Sequence, residues 1–108
     1  MTLTGKCKID FDEWIWESIY KKDDFWMQNI EFGVLPLSMQ WGVYVDFFAE
    51  NEIYIEITFN KPTKLELMKW WVDINGFEVT DNYEDEFDTL NEARLIAVKH
   101  ANEIYNSQ

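Results

Sequence analysis

Apolar and polar residues alternate along two consecutive stretches in the middle of the chain. In residues 41–49 and 53–59 every second side chain is apolar. Because successive side chains of a strand point to opposite faces, this pattern predicts two β-strands. A three-residue loop at 50–52 keeps both apolar sets on one face, whereas a shorter loop separates them. The sequence therefore predicts a β-hairpin from Trp41 to Asn60.

The second face of this predicted hairpin carries acids and aromatic rings. In the three-residue register Asp46 lies opposite Glu56, a like-charge pair that destabilises a sheet by roughly a few tenths of a kcal/mol. Tyr44 and Tyr54 flank the two carboxylates. Three interpretations remain open: a solvated face that tolerates the repulsion, an acidic and aromatic surface for a basic partner, and a metal pair that lacks a third ligand.

A helix is predicted near the N-terminus. Asp10 and Glu13 have the spacing of a capping box, in which a side chain accepts a bond from the first turn and a carboxylate follows three residues later. The helix is predicted over 11–22, and residues 1–9 are expected to form a short lead that is either partly ordered or loose.

The following stretch, residues 25–37, is apolar without a clear period. A short strand around 29–34 and a continuation of the first helix are both compatible with it. Pro36 ends either element, because proline cannot donate a backbone hydrogen bond.

Residues 64–75 fit a helix better than a strand. Their apolar side chains fill one broad arc of a helical wheel, whereas strand parity mixes them with charged side chains. Thr63 and Glu66 form a capping box, and Asn75-Gly76 supplies a C-terminal stop. Because Asn-Gly is also a hairpin turn signal, a strand from Met68 to Ile74 stays open as the alternative.

A short strand over 77–80 and a C-terminal helix complete the pattern. Thr89 and Glu92 form a third capping box, so the helix is predicted from Leu90 to about Tyr105. Three alanines in its apolar stripe predict close packing on a neighbouring element. The predicted stripe consists of Leu90, Ala93, Ala97, Val98, Ala101, Ile104 and Tyr105.

Two unusual residues lie along this C-terminal helix. Arg94 falls within the apolar stripe, where a structural ion pair or an outward-reaching side chain is expected and a ligand-binding role is the alternative. His100, the single histidine, lies at the border of the stripe and is expected to be a half-buried packing residue.

These elements together predict an α+β fold. One domain spans residues 1–108, and an antiparallel sheet based on the hairpin is packed by about three helices in the order α-(β)-β-β-α-β-α. The apolar face of the hairpin is expected under the helices 64–75 and 90–105. Its other face is expected to be partly open or covered by the helix 11–22.

The net charge of the chain indicates which kinds of partner it can bind. The 108 residues include 21 acids and nine bases, which give a net charge of −12. Such a chain repels nucleic acid and anionic membranes and attracts basic protein surfaces, including those that hold DNA or RNA. Five of the acids lie within residues 81–88, and three interpretations of this segment remain open: a solvated connector, a site for a basic partner and a cation site. The spacing is not that of an EF-hand.

Candidate chemistry is sparse. Cys7 is the only cysteine, so an intramolecular disulfide is excluded and a reducing cytoplasm is expected. We find no signal peptide, no apolar run of membrane-spanning length and no phosphate-loop, dinucleotide, zinc-protease or nucleophile-elbow motif. An enzyme, a cofactor and a metal are therefore not expected.

The functional class expected from charge and size is a small cytoplasmic binding protein that inhibits a basic, nucleic-acid-acting partner. Phage or mobile-element anti-defence proteins of the DNA-mimic type and immunity proteins for nuclease toxins share this physical profile, and the analogy is one of class only. The expected partner-binding residues, all acids or tyrosines, are Asp46, Glu56, Tyr44, Tyr54, Asp81, Glu84, Asp85, Glu86 and Asp88.

An alternative function follows from the aromatic content of 18%. The chain could be a structural subunit that forms homo-oligomers through aromatic side chains left on its surface. Its expected contact residues are Trp16, Tyr20, Trp26 and Trp70.

Overall fold

The computed structural model describes residues 2–20, 32–60, 69–81, 84 and 86–108. Within them, three helices accompany a three-stranded antiparallel sheet of order β1-β2-β3, and the predicted α+β class is confirmed. The elements are α1 (Gly5–Ile15), a π-helical turn (Trp16–Tyr20), a 3-10 turn (Phe32–Val34), α2 (Leu37–Glu50), β1 (Ile55–Asn60), β2 (Lys69–Ile74), β3 (Phe77–Glu78) and α3 (Leu90–Asn106).

The predicted hairpin from Trp41 to Asn60 is wrong in its first half, because Leu37–Glu50 forms the helix α2. Its apolar residues satisfy a period of 3.6 as well as a period of two. Tyr44, Phe47 and Phe48 lie at helical spacing and are all buried, which the alternating register could not achieve. The helix therefore buries more of the large rings than the strand would, and only the part of the second strand from Ile55 is observed.

The prediction of a helix over 64–75 is wrong for its described part, since Lys69–Ile74 is the strand β2. Residues 61–68 lie outside the described residues. Asn75 and Gly76 form a tight turn to β3 with φ angles of 53° and 83°, the left-handed values that an Asn-Gly hairpin turn needs. The hairpin that the turn signal predicted as an alternative is the one that forms, and the predicted strand over 77–80 begins there as Phe77–Glu78.

The sheet buries one face against α3. β1 pairs with β2 so that Ile57 lies opposite Val72 and Ile55 opposite Ile74, and α3 packs against both strands. The alanines at 93, 97 and 101 are fully buried, so the helix approaches the sheet closely, as the small residues of the stripe predicted. Thr89 Oγ1 accepts the N–H of Glu92 at 3.0 Å, which confirms Thr89 as the N-cap of α3.

Most of the N-terminal lead belongs to the first helix. Leu3 and Cys7 are buried, and α1 begins at Gly5 instead of after Asp10. The prediction failed because the groups that cap this helix come from the other end of the chain. Asn102 Oδ1 accepts the N–H of Thr4 at 2.9 Å, and Asn106 Oδ1 accepts the N–H of Cys7 at 2.8 Å.

Gly5 makes this junction possible. Its φ of 61° lies in the left-handed region, and a Cβ at this position would lie 3.2 Å from the Asn106 side chain. Asn106 also donates to the carbonyl of Thr4 at 2.9 Å. The start of α1 is therefore held against the end of α3 by side-chain amides that only the folded chain brings there.

Replacing Asn106 by alanine is expected to lower the free energy of unfolding by about 1–2 kcal/mol, because the Cys7 N–H and the Thr4 carbonyl lose their partner. Asn106→Asp keeps the acceptor for Cys7 and should lose less. Urea unfolding of the three proteins measures the difference. Equal stability of Asn106→Ala and the wild type would show that the helix start needs no cap.

An aromatic cluster joins the three helices. Phe47 of α2 contacts Phe11 and Trp14 of α1 at centroid distances of 5.2 and 5.4 Å, and Tyr105 of α3 at 5.5 Å. Phe32 of the 3-10 turn packs against Phe11 at 5.3 Å, so the turn closes one side of the cluster. The proposed strand around 29–34 is not observed at 32–34, and residues 29–31 lie outside the described residues.

Candidate protein-binding face

The outer face of the sheet, opposite α3, carries a row of three acids. Glu56 on β1 pairs with Asp73 on β2, and Asp73 pairs with Glu78 on β3. Cross-strand partners share a face and lie roughly 5 Å apart, so the three carboxyl groups form one line across the sheet. Glu56 and Glu78 are exposed, and Asp73 is half-buried.

Acids of the loop after β3 extend this row. Trp70 and Phe87 exchange two backbone hydrogen bonds of 2.9 and 2.8 Å, which attaches the end of the loop to the side of β2 that faces away from β1. Phe87 is 1% exposed and faces the core, so its neighbours Glu86 and Asp88 turn to the outer side. Both are exposed.

Lys69 shows that these loop acids reach the sheet. Its ammonium group forms a salt bridge with Asp88. The hydrogen bond to Asp88 raises the pKa of Lys69, and the negative charges of Glu86 and Glu84 raise it further. We call the outer-face acids the acidic face; its members are Glu56, Asp73, Glu78, Glu84, Glu86 and Asp88.

Trp71 lies within the acidic face. It pairs with Thr58 on β1, and the antiparallel direction of the Trp70–Phe87 bridge brings Glu86 alongside it. The indole is half-buried, and its Nε1 has no hydrogen-bond partner within the described part of the chain. A ring beside carboxylates can stack with an arginine side chain while the acids neutralise the guanidinium.

The predicted pairing of Asp46 with Glu56 does not exist. Asp46 lies on α2 in a groove between α1 and α2, lined by Trp14, Ser18, Ala49 and Glu50. The true neighbour of Glu56 is Asp73, so a like-charge pair is present but with a different partner.

The two tyrosines that were predicted to bind a partner lie in different environments. Tyr44 is 4% exposed and packs against Phe11 at 5.0 Å, so the expectation that it displays its ring to a partner is wrong. Burial, with the charges of Asp12 and Cys7, raises the pKa of Tyr44 to about 12. Tyr54, 59% exposed, precedes β1 and remains available on the surface.

Asp81 has a structural role among the predicted acids. Its carboxylate lies 2.9 Å from Lys99 Nζ and 3.3 Å from His100 Nε2, and it joins the loop to α3. The hydrogen bond from Lys99 lowers the pKa of Asp81, with a smaller contribution from His100. Asp85 lies outside the described residues, whereas Glu84, Glu86 and Asp88 join Glu56 in the acidic face.

Replacing Asp81 by asparagine should weaken stability at neutral pH and leave it unchanged in strong acid. A carboxyl group whose pKa is lower in the folded state stabilises the protein above the unfolded pKa of about 3.9, and this contribution disappears as the pH falls through the folded pKa. Urea midpoints of the wild type and Asp81→Asn should therefore converge once the pH has fallen below the folded-state pKa of Asp81. A constant difference between the two urea midpoints throughout the acidic range would show that the Asp81 carboxylate does not contribute to the pH dependence.

Arg94 and His100 have packing roles. The Arg94 guanidinium lies 5.7 Å from the Trp41 ring centroid and makes a cation–π contact with it. The sequence predicted an ion pair or an outward-reaching side chain at this position. The Arg94 Nε has no hydrogen-bond partner within the described residues. His100 is half-buried, as predicted, and contacts Asp81.

The described residues give no support for a metal site or for a reactive cysteine. They contain no group of three or more metal-ligating side chains that could hold an ion. Cys7 is fully buried, and burial together with the charge of Asp10 raises the pKa of its thiol to about 11, so the thiol stays protonated at neutral pH. No helix in the part of the chain that the structure describes is long and apolar enough to cross a bilayer.

Sequence reasoning missed Asp73, Glu78 and Trp71 as members of the acidic face. The interpretation of 64–75 as a helix placed Asp73 and Trp71 on opposite sides of a wheel. The Asn75-Gly76 turn signal was the feature that could have found them, because a two-residue turn sets the pairing of Asp73 with Glu78. Comparison with protein-family models, with curated proteins and with solved structures found no match.

Proposed function

We propose that the acidic face binds a basic protein surface that normally contacts nucleic acid, and that the protein inhibits this partner. Inhibitors of the DNA-mimic type, encoded by phages or mobile elements, and immunity proteins for nuclease toxins are the two functional types that this chemistry serves. The observation that carries the proposal is the row of Glu56, Asp73 and Glu78, which continues into the acids of the loop on one face of one sheet.

The row has a cost in the free protein. Like charges directly opposite each other on a sheet destabilise it, and the pairing of Glu56 with Asp73 is such a contact. A partner that brings arginine or lysine side chains to the row removes this repulsion when it binds. The net charge of −12 also speeds the encounter with a basic surface, because long-range attraction steers the two proteins together.

Asp73→Lys combined with Glu86→Lys tests the proposal, because both changes lie in the acidic face. The wild type is used to capture basic proteins from a nuclease-treated lysate, and a captured nuclease or nucleic-acid-binding protein is then assayed for activity with added inhibitor. We expect the wild type to inhibit it, and the double variant to inhibit about 10–100-fold less well. The inhibition should weaken as the salt concentration rises.

The matched control is Glu13→Lys combined with Glu103→Lys. Both residues are exposed on helices, and the net charge changes by the same amount. This control should inhibit nearly as well as the wild type. Equal loss in the two double variants would mean that only net charge matters and that no defined face exists, whereas an undiminished Asp73→Lys/Glu86→Lys protein would refute the acidic face as the binding site.

Homo-oligomerisation through aromatic side chains is a second candidate function. Trp16 is 53% exposed on the π-helical turn, which agrees with a contact role. Trp70 is half-buried and packs against Phe59 with ring centroids 4.6 Å apart, so its ring already has a partner. The side chains of Tyr20 and Trp26 lie outside the described residues. Light scattering separates the two functions, because a stable oligomer disrupted by Trp16→Ala would support this one.

A further inference from the structure

The strand β1 forms one edge of the sheet. Among the residues that the structure describes, β2 is the strand that pairs with it. The phase of this ladder follows from one bond, in which the N–H of Asn75 donates to the carbonyl of Tyr54 at 2.9 Å. Because backbone groups alternate along an antiparallel strand, Tyr54, Glu56 and Thr58 turn their N–H and C=O groups toward β2.

The alternate residues of β1 consequently turn their backbone groups away from the sheet. Ile55, Ile57 and Phe59 present three N–H and three C=O groups along the free edge. The bonds on the other side of β2 agree with this phase, since the carbonyl of Val72 accepts the N–H of Val79 at 2.8 Å. An edge of this kind is a template for one more strand.

The apolar layer beneath the sheet is incomplete at this edge. On β2, Val72 is fully buried and Ile74 is 4% exposed, whereas their partners Ile57 and Ile55 on β1 are only half-buried. Phe59, in the same row, is 36% exposed. An additional strand with apolar side chains on its inner face would continue this layer and cover the row.

The outer face determines which strand fits. A strand beside β1 would place its outward side chains next to Glu56, at the end of the acidic row that includes Asp73. Basic side chains complement this position and acidic ones are repelled. A second copy of this chain would bring a further net charge of −12, so charge favours a basic segment over self-association.

We propose that β1 receives an extended segment of the basic partner as an additional strand, with apolar residues facing inward and lysine or arginine residues facing outward. The proposal rests on the proposed function and adds the mode of recognition. The main-chain hydrogen bonds of Ile55, Ile57 and Phe59 supply affinity, and the alternation of apolar and basic side chains supplies specificity.

Amide hydrogen exchange followed by NMR tests the edge directly. In the free protein the amides of Ile55, Ile57 and Phe59 should exchange quickly, while those of Glu56 and Thr58 are protected by the ladder with β2. The probe is the capped peptide Lys-Val-Lys-Val-Lys-Val-Lys, added in excess. It should slow the exchange of the three outward amides by about 10-fold or more, whereas the same residues in the order Lys-Lys-Val-Val-Val-Lys-Lys should not. Outward amides that are already protected, or that the alternating peptide leaves unprotected, would overturn the proposal.

A proline substitution tests the same edge by binding. Ile57→Pro removes an N–H that points away from β2, so the ladder with β2 keeps its bonds. Ile57→Ala removes the same side chain and keeps the N–H, which makes it the matched control. We expect Ile57→Pro to bind the alternating peptide about 10-fold or more weakly than Ile57→Ala, and equal affinities would contradict strand addition. Circular dichroism checks that both variants are folded. If the proline variant does not fold, the hydrogen-exchange experiment on the wild type tests the proposal by itself.

The acidic-face variant separates this proposal from the function on which it rests. If Asp73→Lys with Glu86→Lys abolishes inhibition of the partner while Ile57→Pro inhibits as well as Ile57→Ala, the acidic face stands and strand addition is refuted. If Ile57→Pro alone abolishes inhibition, the edge stands and the acidic face is refuted as the main contact. Loss of inhibition in both supports the combined picture.

Discussion

Replacing Phe47 by alanine should lower the free energy of unfolding by about 3–5 kcal/mol. Phe47 is 2% exposed and is the ring through which α1, α2 and α3 meet, with contacts to Phe11, Trp14 and Tyr105. Truncation removes the transfer free energy of the ring and leaves a cavity at the junction of three helices. Since domains of this size are stable by only about 5–15 kcal/mol, the variant should be close to unfolding at room temperature.

Two further variants serve as controls for the size of this loss, and urea or thermal unfolding measures the stability of all three. Phe47→Leu refills most of the volume and should lose only about 1–2 kcal/mol. Phe77→Ala truncates a ring that is 78% exposed and should change stability by less than about 0.5 kcal/mol. A loss below about 1 kcal/mol for Phe47→Ala would show that the helices are held together elsewhere.

Alkaline pH should unfold the protein through three buried groups in the same core. Burial raises the pKa of the Cys7 thiol to about 11, of Tyr44 to about 12 and of Tyr105 to about 12. The nearby Asp10 carboxylate contributes at Cys7 and at Tyr105, whose hydroxyl donates to it at 2.6 Å. Each group holds its proton more tightly in the folded state than in the unfolded state, so the folded state is favoured while these groups are protonated.

The sign of the pH dependence follows from this difference. Stability from these groups is fully present below their unfolded pKa values of about 8.5 for cysteine and 10 for tyrosine, and is lost as the pH rises through the folded values. Urea midpoints should be nearly constant up to pH of about 8 and fall steeply toward pH 12. Tyrosinate absorbance should show a late step that coincides with the loss of the near-ultraviolet circular dichroism signal.

Variants of the same residues identify the source of this alkaline effect. Tyr105→Phe and Cys7→Ala each remove one ionisable group, so each should flatten the decline relative to its own value at neutral pH. Combining the two should flatten it further. If both variants decline as steeply as the wild type, the instability at high pH comes from the general repulsion of a highly acidic chain.

The amino-acid sequence was sufficient for the features that depend on neighbouring residues. The N-cap at Thr89 and the alanine stripe of α3 each rest on side chains within a few positions of one another. Asn75-Gly76 is a local signal too, but it fits a helix end as well as a hairpin turn, and the sequence favoured the helix. The α+β class is confirmed, although two of the elements from which it was predicted, the strand over 41–49 and the described part of the helix over 64–75, are wrong. The negative charge and the acidic loop after β3 are also properties of composition, so the class of partner could be proposed before any contact was known.

Long-range contacts decided the remaining elements. Residues 41–49 are compatible with both a strand and a helix, and the helix prevails because Tyr44 and Phe47 then meet Phe11 of α1. Likewise, α1 begins at Gly5 because Asn102 and Asn106, nearly the whole chain away, accept its first N–H groups. No local pattern contains this information, since the groups that stabilise each element are distant in sequence.

In the acidic face, too, the sequence determined some features and the tertiary structure determined the others. The sequence by itself determined that acids are abundant and that Glu56 lies on a strand. Only the tertiary structure decided that Asp73 and Glu78 are its neighbours, because cross-strand pairing depends on register and on which two strands meet. A charge pattern along the chain specifies the sign of the surface, whereas the fold specifies which charges stand side by side.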